Sequence, residues 1–319
     1  MRINLVVVLP GSPRQVEEAT HFLKLWMQHL CPGSFSILCA PDQVRDNLTR
    51  FRSSLSESNS SFAGFLPVIP LPRRITRFIA RSSQMQQLIG CFSKLMFVAG
   101  DLEALGPLSA WSASEALRKT RVVIVDDGLS SVPLATIARR LGLTNVEFFS
   151  SYWHFIDVAQ HSPVAYSQQT ALETLADGQI LGVVGSPVCE VHGVPVESYL
   201  RLIEGARQAV GASRVLYLQH RREADKFAGC PWIESLPTPQ GSVDALRSLR
   251  TWPQHFWSLY SSALVDVFML GQQQPEFFLY SRLPDDDIRG MSRSSWQDLG
   301  ISSIEAIYGI YDKLGFRRV

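Results

Sequence analysis

The chain has 319 residues, enough for two domains of ordinary size or one large one. Hydrophobic residues make up 46% and charged residues 18%, which excludes global disorder and supplies a sizeable core. Thirty Lys+Arg stand against 29 Asp+Glu for a net charge of +1, so the chain lacks the basic excess of a protein that coats nucleic acid.

Short β-branched runs alternate with helix-like stretches, the signature of parallel βαβ units. Ile3–Leu9 reads as a buried first strand, broken off by Pro10, Gly11 and Pro13. Ala19, Phe22, Leu23, Trp26 and Leu30 then follow at helical spacing, and Ser36–Ala40 reads as the second strand. Asn47–Ser61 is polar and serine-rich, a surface loop or loose helix, and Phe65–Leu71 is a further strand candidate. Strands are predicted at Lys94–Ala99, Arg121–Val125 and Val146–Ser150, with a helix over Val132–Leu143. A second series begins near residue 179. It has strands at Ile180–Val184, Arg214–Leu218 and Glu276–Tyr280, and helices at Glu197–Val210 and Ser262–Leu270. Polar, proline-containing residues around Gln160–Gln179 separate the series. The expected architecture is α/β, two Rossmann-like domains (residues 1–170 and 171–319) facing a cleft. Open sheets of this kind bind ligands at the carboxyl ends of their strands, so the chemistry is sought there.

Five scattered cysteines include no CxxC pair and read as buried thiols in a reducing compartment. The apolar run Ile3–Pro10 is too short and too polar for a signal peptide, and Ala263–Leu270, interrupted by Asp266, is far short of a membrane span. The expectation is a soluble cytoplasmic protein. The histidines show no metal-ligand spacing, and Walker, GxGxxG and GxSxG motifs are missing, so neither metal nor cofactor is expected.

Four polar clusters sit at strand ends or helix starts. Asp126-Asp127-Gly128 follows Arg121–Val125; adjacent carboxylates there repel and lose solvent, which raises one pKa toward general-base range, although a plain polar turn has the same look. Gly128 permits the tight turn. His220-Arg221-Arg222-Glu223 follows Arg214–Leu218. It reads as a phosphate-handling group, or as a structural histidine beside a solvated Arg222–Glu223 pair. Ser261 and Ser262 open an apolar helix, as a cap or as donors to a phosphate. Gly185-Ser186-Pro187 opens the second series, with Glu190 close behind. Asp285-Asp286-Asp287 reads as an acidic surface loop before a metal site. Arg73, Arg77 and Arg81 form a helical stripe, read as a solvated face or a contact for an anionic membrane.

Taken in order, these clusters resemble the bacterial lipooligosaccharide sialyltransferases (glycosyltransferase family 52), a family of GT-B type. Its acidic Asp-Gly motif, Gly-Ser-Pro turn, His-Pro-Arg motif and Ser-Ser-Ala-Leu stretch are matched by Asp126–Gly128, Gly185–Pro187, His220–Arg222 and Ser261–Leu264. Arg221 replaces the motif proline, and Val188 stands where some members carry an Asp base. The resemblance implies metal-independent, inverting transfer of a sialic or related nonulosonic acid from a CMP donor to a sugar hydroxyl of a glycan or glycolipid. Asp127 would be the base, with Asp126 raising its pKa and Glu190 as the alternative. His220 would serve the leaving phosphate. Gly185, Ser186, Arg222, Ser261 and Ser262 would bind the donor. The same scaffold with another nucleotide sugar, or a silent nucleotide- or glycan-binding relative, stays open beside that reading. Peripheral contact with the inner membrane is a further expectation.

Overall fold

The computed structural model describes residues 3–9, 13–26, 30–38, 95–100, 118, 120–126, 128–129, 131–150, 152, 155–156, 164–165, 175–220, 222–238, 242–270, 274–283 and 303–319. The chain divides into two compact units, Met1–Ser167 and Gln168–Val319. The expected features at Asn47–Ser61, Phe65–Leu71, Arg73–Arg81 and Asp285–Asp287 lie outside the described residues, as do Asp127 and Arg221.

In the first unit, strands β1 (Ile3–Leu9), β2 (Leu30–Leu38), β3 (Leu95–Ala99), β4 (Arg121–Val125), β5 (Val146–Ser150) and β6 (Val164–Ala165) form one sheet. Their order is β2-β1-β3-β4-β5-β6, and every pairing is parallel. Strands β3 to β5 are apolar and buried along most of their length, as a sheet covered on both faces requires. Helix α1 (Pro13–Trp26) sets Phe22 edge-on against Phe149 of β5, with ring centroids 5.4 Å apart. The helical spacing is read one turn too far in the sequence, because Leu30 already opens β2. Helix α2 (Ser131–Arg140) follows β4 and buries Leu134, Ile137 and Ala138.

The second unit repeats the plan. Its strands are β7 (Leu175–Val184), β8 (Arg214–Gln219), β9 (Ile233–Pro237), β10 (Thr251–Ser258), β11 (Phe278–Tyr280) and β12 (Arg317–Arg318). They lie in the order β12-β11-β10-β7-β8-β9, again with every pairing parallel. Helices α3 (Val188–His192), α4 (Val196–Ala209), α5 (Ser242–Arg247), α6 (Ala263–Leu270) and α7 (Ser303–Lys313) connect or follow them. Both units are therefore doubly wound α/β sheets, and the Rossmann-like architecture is observed in each.

Strand β10 is the largest departure from the sequence reading. It sits at the centre of its sheet, yet Pro253 and His255 interrupt its apolar pattern. The ladder tolerates the proline through a register shift between Pro253 and His255. Beyond that shift the strand is apolar, and Trp257 and Phe256 are buried. The stretch expected as a strand at Glu276–Tyr280 begins as a 3₁₀ turn, Pro275–Phe277, before β11. Membrane-spanning helices are missing among the described residues: none is long and apolar enough.

Phe278 of β11 anchors an aromatic cluster that fixes α6 and the C-terminal segment to the sheet. Its ring lies 5.6 Å from Phe256, 5.2 Å from Phe268 of α6 and 5.1 Å from Phe316. Replacing it leaves a cavity against three rings, so Phe278→Ala is expected to cost about 3–5 kcal/mol in urea unfolding. A loss below about 1 kcal/mol, the size of an ordinary surface change, would contradict this packing.

Candidate functional site

The winding of the second sheet selects one edge. From β7 the chain moves to β8 and β9 on one side, then returns to β10 on the other. The carboxyl ends of β7 and β10 are thus a topological switch point, where the connections leave in opposite directions and open a crevice. Gly185-Ser186-Pro187 follows β7, Leu259–Ser262 follows β10, and His220 follows β8, one strand further along. Three of the four clusters singled out in the sequence meet at this sheet edge.

A seam of serines closes the ends of β7 and β10. Ser258 Oγ donates to the Val184 carbonyl at 2.8 Å and accepts from the Ser261 N–H at 3.1 Å. Ser186 Oγ lies 3.4 Å from Ser258 Oγ and accepts from the Tyr260 N–H at 3.4 Å. Both Ser186 and Ser258 are fully buried. Ser186, expected to bind a donor substrate, is therefore a strut inside the sheet edge. The seam sets up the start of α6. The Ser261 carbonyl accepts from Tyr311 Oη of α7 at 2.6 Å and from the Leu264 N–H at 3.0 Å, and the Ser262 carbonyl accepts from the Val265 N–H at 3.0 Å. Among the described residues, the N–H groups of Ser262 and Ala263 and the half-exposed Ser262 hydroxyl meet no acceptor. Two open amides and a hydroxyl at the positive end of a helix dipole form a cradle suited to an anion.

At the end of β8, the side chain of Glu223 governs the turn. It is fully buried and accepts from Tyr217 Oη at 2.7 Å, from Lys226 Nζ at 2.8 Å and from the His220 N–H at 2.8 Å. The Glu223 N–H in turn donates to the His220 carbonyl at 2.8 Å. His220 Nδ1 accepts from the Arg222 N–H at 3.1 Å, which places the proton of a neutral ring on Nε2. The Arg222 side chain is exposed. Burial pushes the Glu223 carboxyl above its ordinary range, and its three donors oppose that push. Burial also disfavours the Lys226 ammonium, but the carboxylates of Glu223 and Glu190 outweigh it and keep the lysine charged. Glu190, the alternative base, is held in this network: it accepts from Lys226 Nζ at 3.0 and 3.1 Å and from the Ala224 N–H at 3.3 Å. Beside it, burial raises the Cys189 thiol.

Gly185 belongs to the same network. A Cβ placed there would stand 2.4 Å from Glu223 Oε2, 2.8 Å from the Leu218 carbonyl and 2.9 Å from the His220 nitrogen. Tyr199 extends the network to β7, its hydroxyl accepting from the Ser186 N–H at 3.2 Å. Nearby, His192 and Tyr260 stack edge to face at 5.8 Å, and among the described residues Nδ1 of the one and Oη of the other are buried without a hydrogen-bond partner. Burial lowers the His192 imidazole and raises the Tyr260 phenol from their ordinary values.

In the first unit, Asp126 ends β4 and is fully buried. Its Oδ1 accepts from Ser131 Oγ of α2 at 2.6 Å, and Ser131 Oγ lies 3.1 Å from Ser150 Oγ at the end of β5. Gly128, with φ at +68°, supplies the left-handed turn between β4 and α2. Metal-binding geometry is missing among the described residues: nowhere do three His, Cys, Asp or Glu side chains converge on one point.

Lys226, Tyr217, Ser258 and Tyr311 were not singled out in the sequence, and Glu223 was placed only within the His220 cluster. Glu223 carried a misleading signal: its neighbour Arg222 suggested a solvated pair, whereas its partner is Lys226, three residues on. Ser258 and Tyr311 left no signal, since their roles depend on strands and helices remote in the chain.

No family model matches the chain, and no curated protein matches it. Among solved structures it is similar to UDP-GlcNAc 2-epimerase from Methanocaldococcus jannaschii, at 9% identity and a TM-score of 0.45 over 98% of this chain and 92% of that one. The same enzyme in complex with UDP-GlcNAc and UDP gives 12% identity and a TM-score of 0.46 over 97% and 92% of the two chains. A Listeria monocytogenes protein assigned as a UDP-N-acetylglucosamine 2-epimerase gives 14% identity and a TM-score of 0.45 over 88% and 79%. These comparisons correct the resemblance to lipooligosaccharide sialyltransferases, and the CMP-sialic acid donor goes with it. The physical reason lies in the motifs. Gly185 makes room for Glu223, Ser186 ties two strands, and Asp126 receives a hydrogen bond from Ser131. A doubly wound unit needs such residues at its strand ends whatever its substrate.

Gly185→Ala is expected to destabilise the protein by about 1–3 kcal/mol, because the added methyl meets a carboxylate and backbone that have little room to yield. Chemical denaturation checks this; unchanged stability would show that Glu223 is not held against β7.

Proposed function

We propose that the second unit binds a nucleotide sugar, with its phosphates at the start of α6 and beside His220, and that the chain is an enzyme acting at the bond between that sugar and phosphate. The observation that carries the reading is the pair of open N–H groups at Ser262 and Ala263, set at the switch point of the sheet. A helix start of this kind stabilises the negative charge that a nucleotide leaving group gathers as its glycosidic bond breaks. His220 lies after β8, and β7 separates that strand from β10. Two strand spacings come to about 10 Å, which suits a ligand with more than one polar group to hold, such as a diphosphate carrying a sugar. His220 enters as a neutral hydrogen-bond donor through Nε2.

In the first unit, Asp126 is buried on Ser131, so proton transfer is assigned to the next residue in the sequence, Asp127. Asp127→Ala is expected to leave nucleotide binding intact and to lower turnover of the matching nucleotide sugar at least about a hundredfold.

Binding is tested by calorimetry with UDP, GDP, ADP and CMP. One of the nucleoside diphosphates is expected to bind and CMP to bind more weakly; binding of CMP alone, or of none of them, would overturn the reading. Ala263→Pro removes one of the two amides at a first helical position, where proline is well tolerated. It is expected to leave the fold intact and weaken the nucleoside diphosphate about 10–100-fold, the worth of a hydrogen bond to a charged group. Unchanged affinity would remove α6 from the site.

A further inference from the structure

His220 is restrained at three points within four residues. Its N–H donates to Glu223 Oε2, its carbonyl accepts from the Glu223 N–H, and its ring Nδ1 accepts from the Arg222 N–H. The first two bonds come from one residue, so Glu223 clamps the backbone that carries the imidazole. The third bond lies inside the turn whose two ends that clamp joins. Glu223 is itself immobilised. Its side chain has no exposed surface, Oε1 accepts from both Tyr217 Oη and Lys226 Nζ, and Oε2 lies over Gly185, where any side chain would displace it. Lys226 is fixed in turn by Glu190 and lies over the rings of Tyr199 and Phe227, 5.3 and 5.8 Å from their centroids.

A buried carboxylate that meets one lysine, one phenol and one backbone amide costs solvation, and packed apolar residues would stabilise the fold as well or better. What the carboxylate supplies and an apolar residue cannot is a fixed acceptor for the His220 N–H. We propose that Glu223 is a positioning residue that sets the ring tautomer of His220, holding Nδ1 as an acceptor with the proton on Nε2. The effect of that tautomer on a bound nucleotide rests on the nucleotide site proposed above; the tautomer does not.

The test uses the full chain labelled with ¹⁵N-histidine, with the His220 signals among seven histidines assigned from His220→Gln. At about pH 8, above the ordinary imidazole range, wild-type His220 is expected to show a bare Nδ1 and a protonated Nε2. In Glu223→Gln the amide oxygen stays on the donors Lys226 and Tyr217, so the NH₂ meets the His220 N–H, the clamp loosens, and the ring becomes a mixture of tautomers. Binding of the nucleoside diphosphate falls about tenfold, the value of one hydrogen bond. The double variant Glu223→Ala, Lys226→Met removes both charges together, so no uncompensated lysine is left buried. It is expected to keep the fold by circular dichroism and still lose the single tautomer. An unchanged tautomer in both variants would overturn the proposal, and a drop in thermal stability alone would make Glu223 merely structural. If the tautomer is lost while wild-type protein binds no nucleotide, the positioning role stands and the nucleotide reading fails.

Discussion

The second unit depends on one buried carboxylate. Glu223 ties the end of β8 to the end of β7: it occupies the space above Gly185, grips the His220 turn and shares Lys226 with Glu190 on α3. Beyond the sheet ladder, the other link between these two strand ends is the Tyr199 hydroxyl, which meets Tyr217 Oη and the Ser186 N–H. The position of Glu223 explains why a glycine follows β7, why a lysine is buried at position 226, and why the Tyr217 hydroxyl of β8 lies against the carboxylate with the Tyr199 hydroxyl beside it.

A second constraint acts on the other flank. Ser186 and Ser258 join the ends of β7 and β10, and Ser258 passes the connection on to Ser261. Tyr311 of α7 holds the Ser261 carbonyl from the opposite side. The first turn of α6 is thereby fixed between sheet and C-terminal helix while its leading amides stay open. Preorganisation of this kind matters for anion binding, because donors already in place need not reorganise when charge arrives. The rigid framework and the open donors are made by neighbouring residues: Ser261 is bonded on both its N–H and its carbonyl, while the Ser262 N–H meets no acceptor among the described residues.

Much of the fold was legible because it rests on local patterns. Strands β1, β4 and β5 have the bounds that their mainly apolar, β-branched runs predict. Strand β10 was illegible for the same reason turned round: Pro253 and His255 break the pattern, and only the register shift, a property of the neighbouring strand pair, makes them acceptable. The site divides in a similar way. His220, Ser262 and Gly185 could be found because strand ends and helix starts are visible in a sequence. The partners that decide their roles could not, because the contacts run from Ser258 to Val184 and from Tyr311 to Ser261, across 74 and 50 residues. The four-motif resemblance failed at that point. Short polar motifs at strand ends record what the fold needs before they record what it binds.

In the proposed site the leading amides of α6 receive a phosphate. A crystal structure of the protein soaked with the best-binding nucleoside diphosphate tests this. Phosphate oxygens are expected within about 3 Å of the Ser262 and Ala263 nitrogens, an ordinary hydrogen-bond distance. A nucleotide bound elsewhere, with those two amides left to solvent, would contradict it.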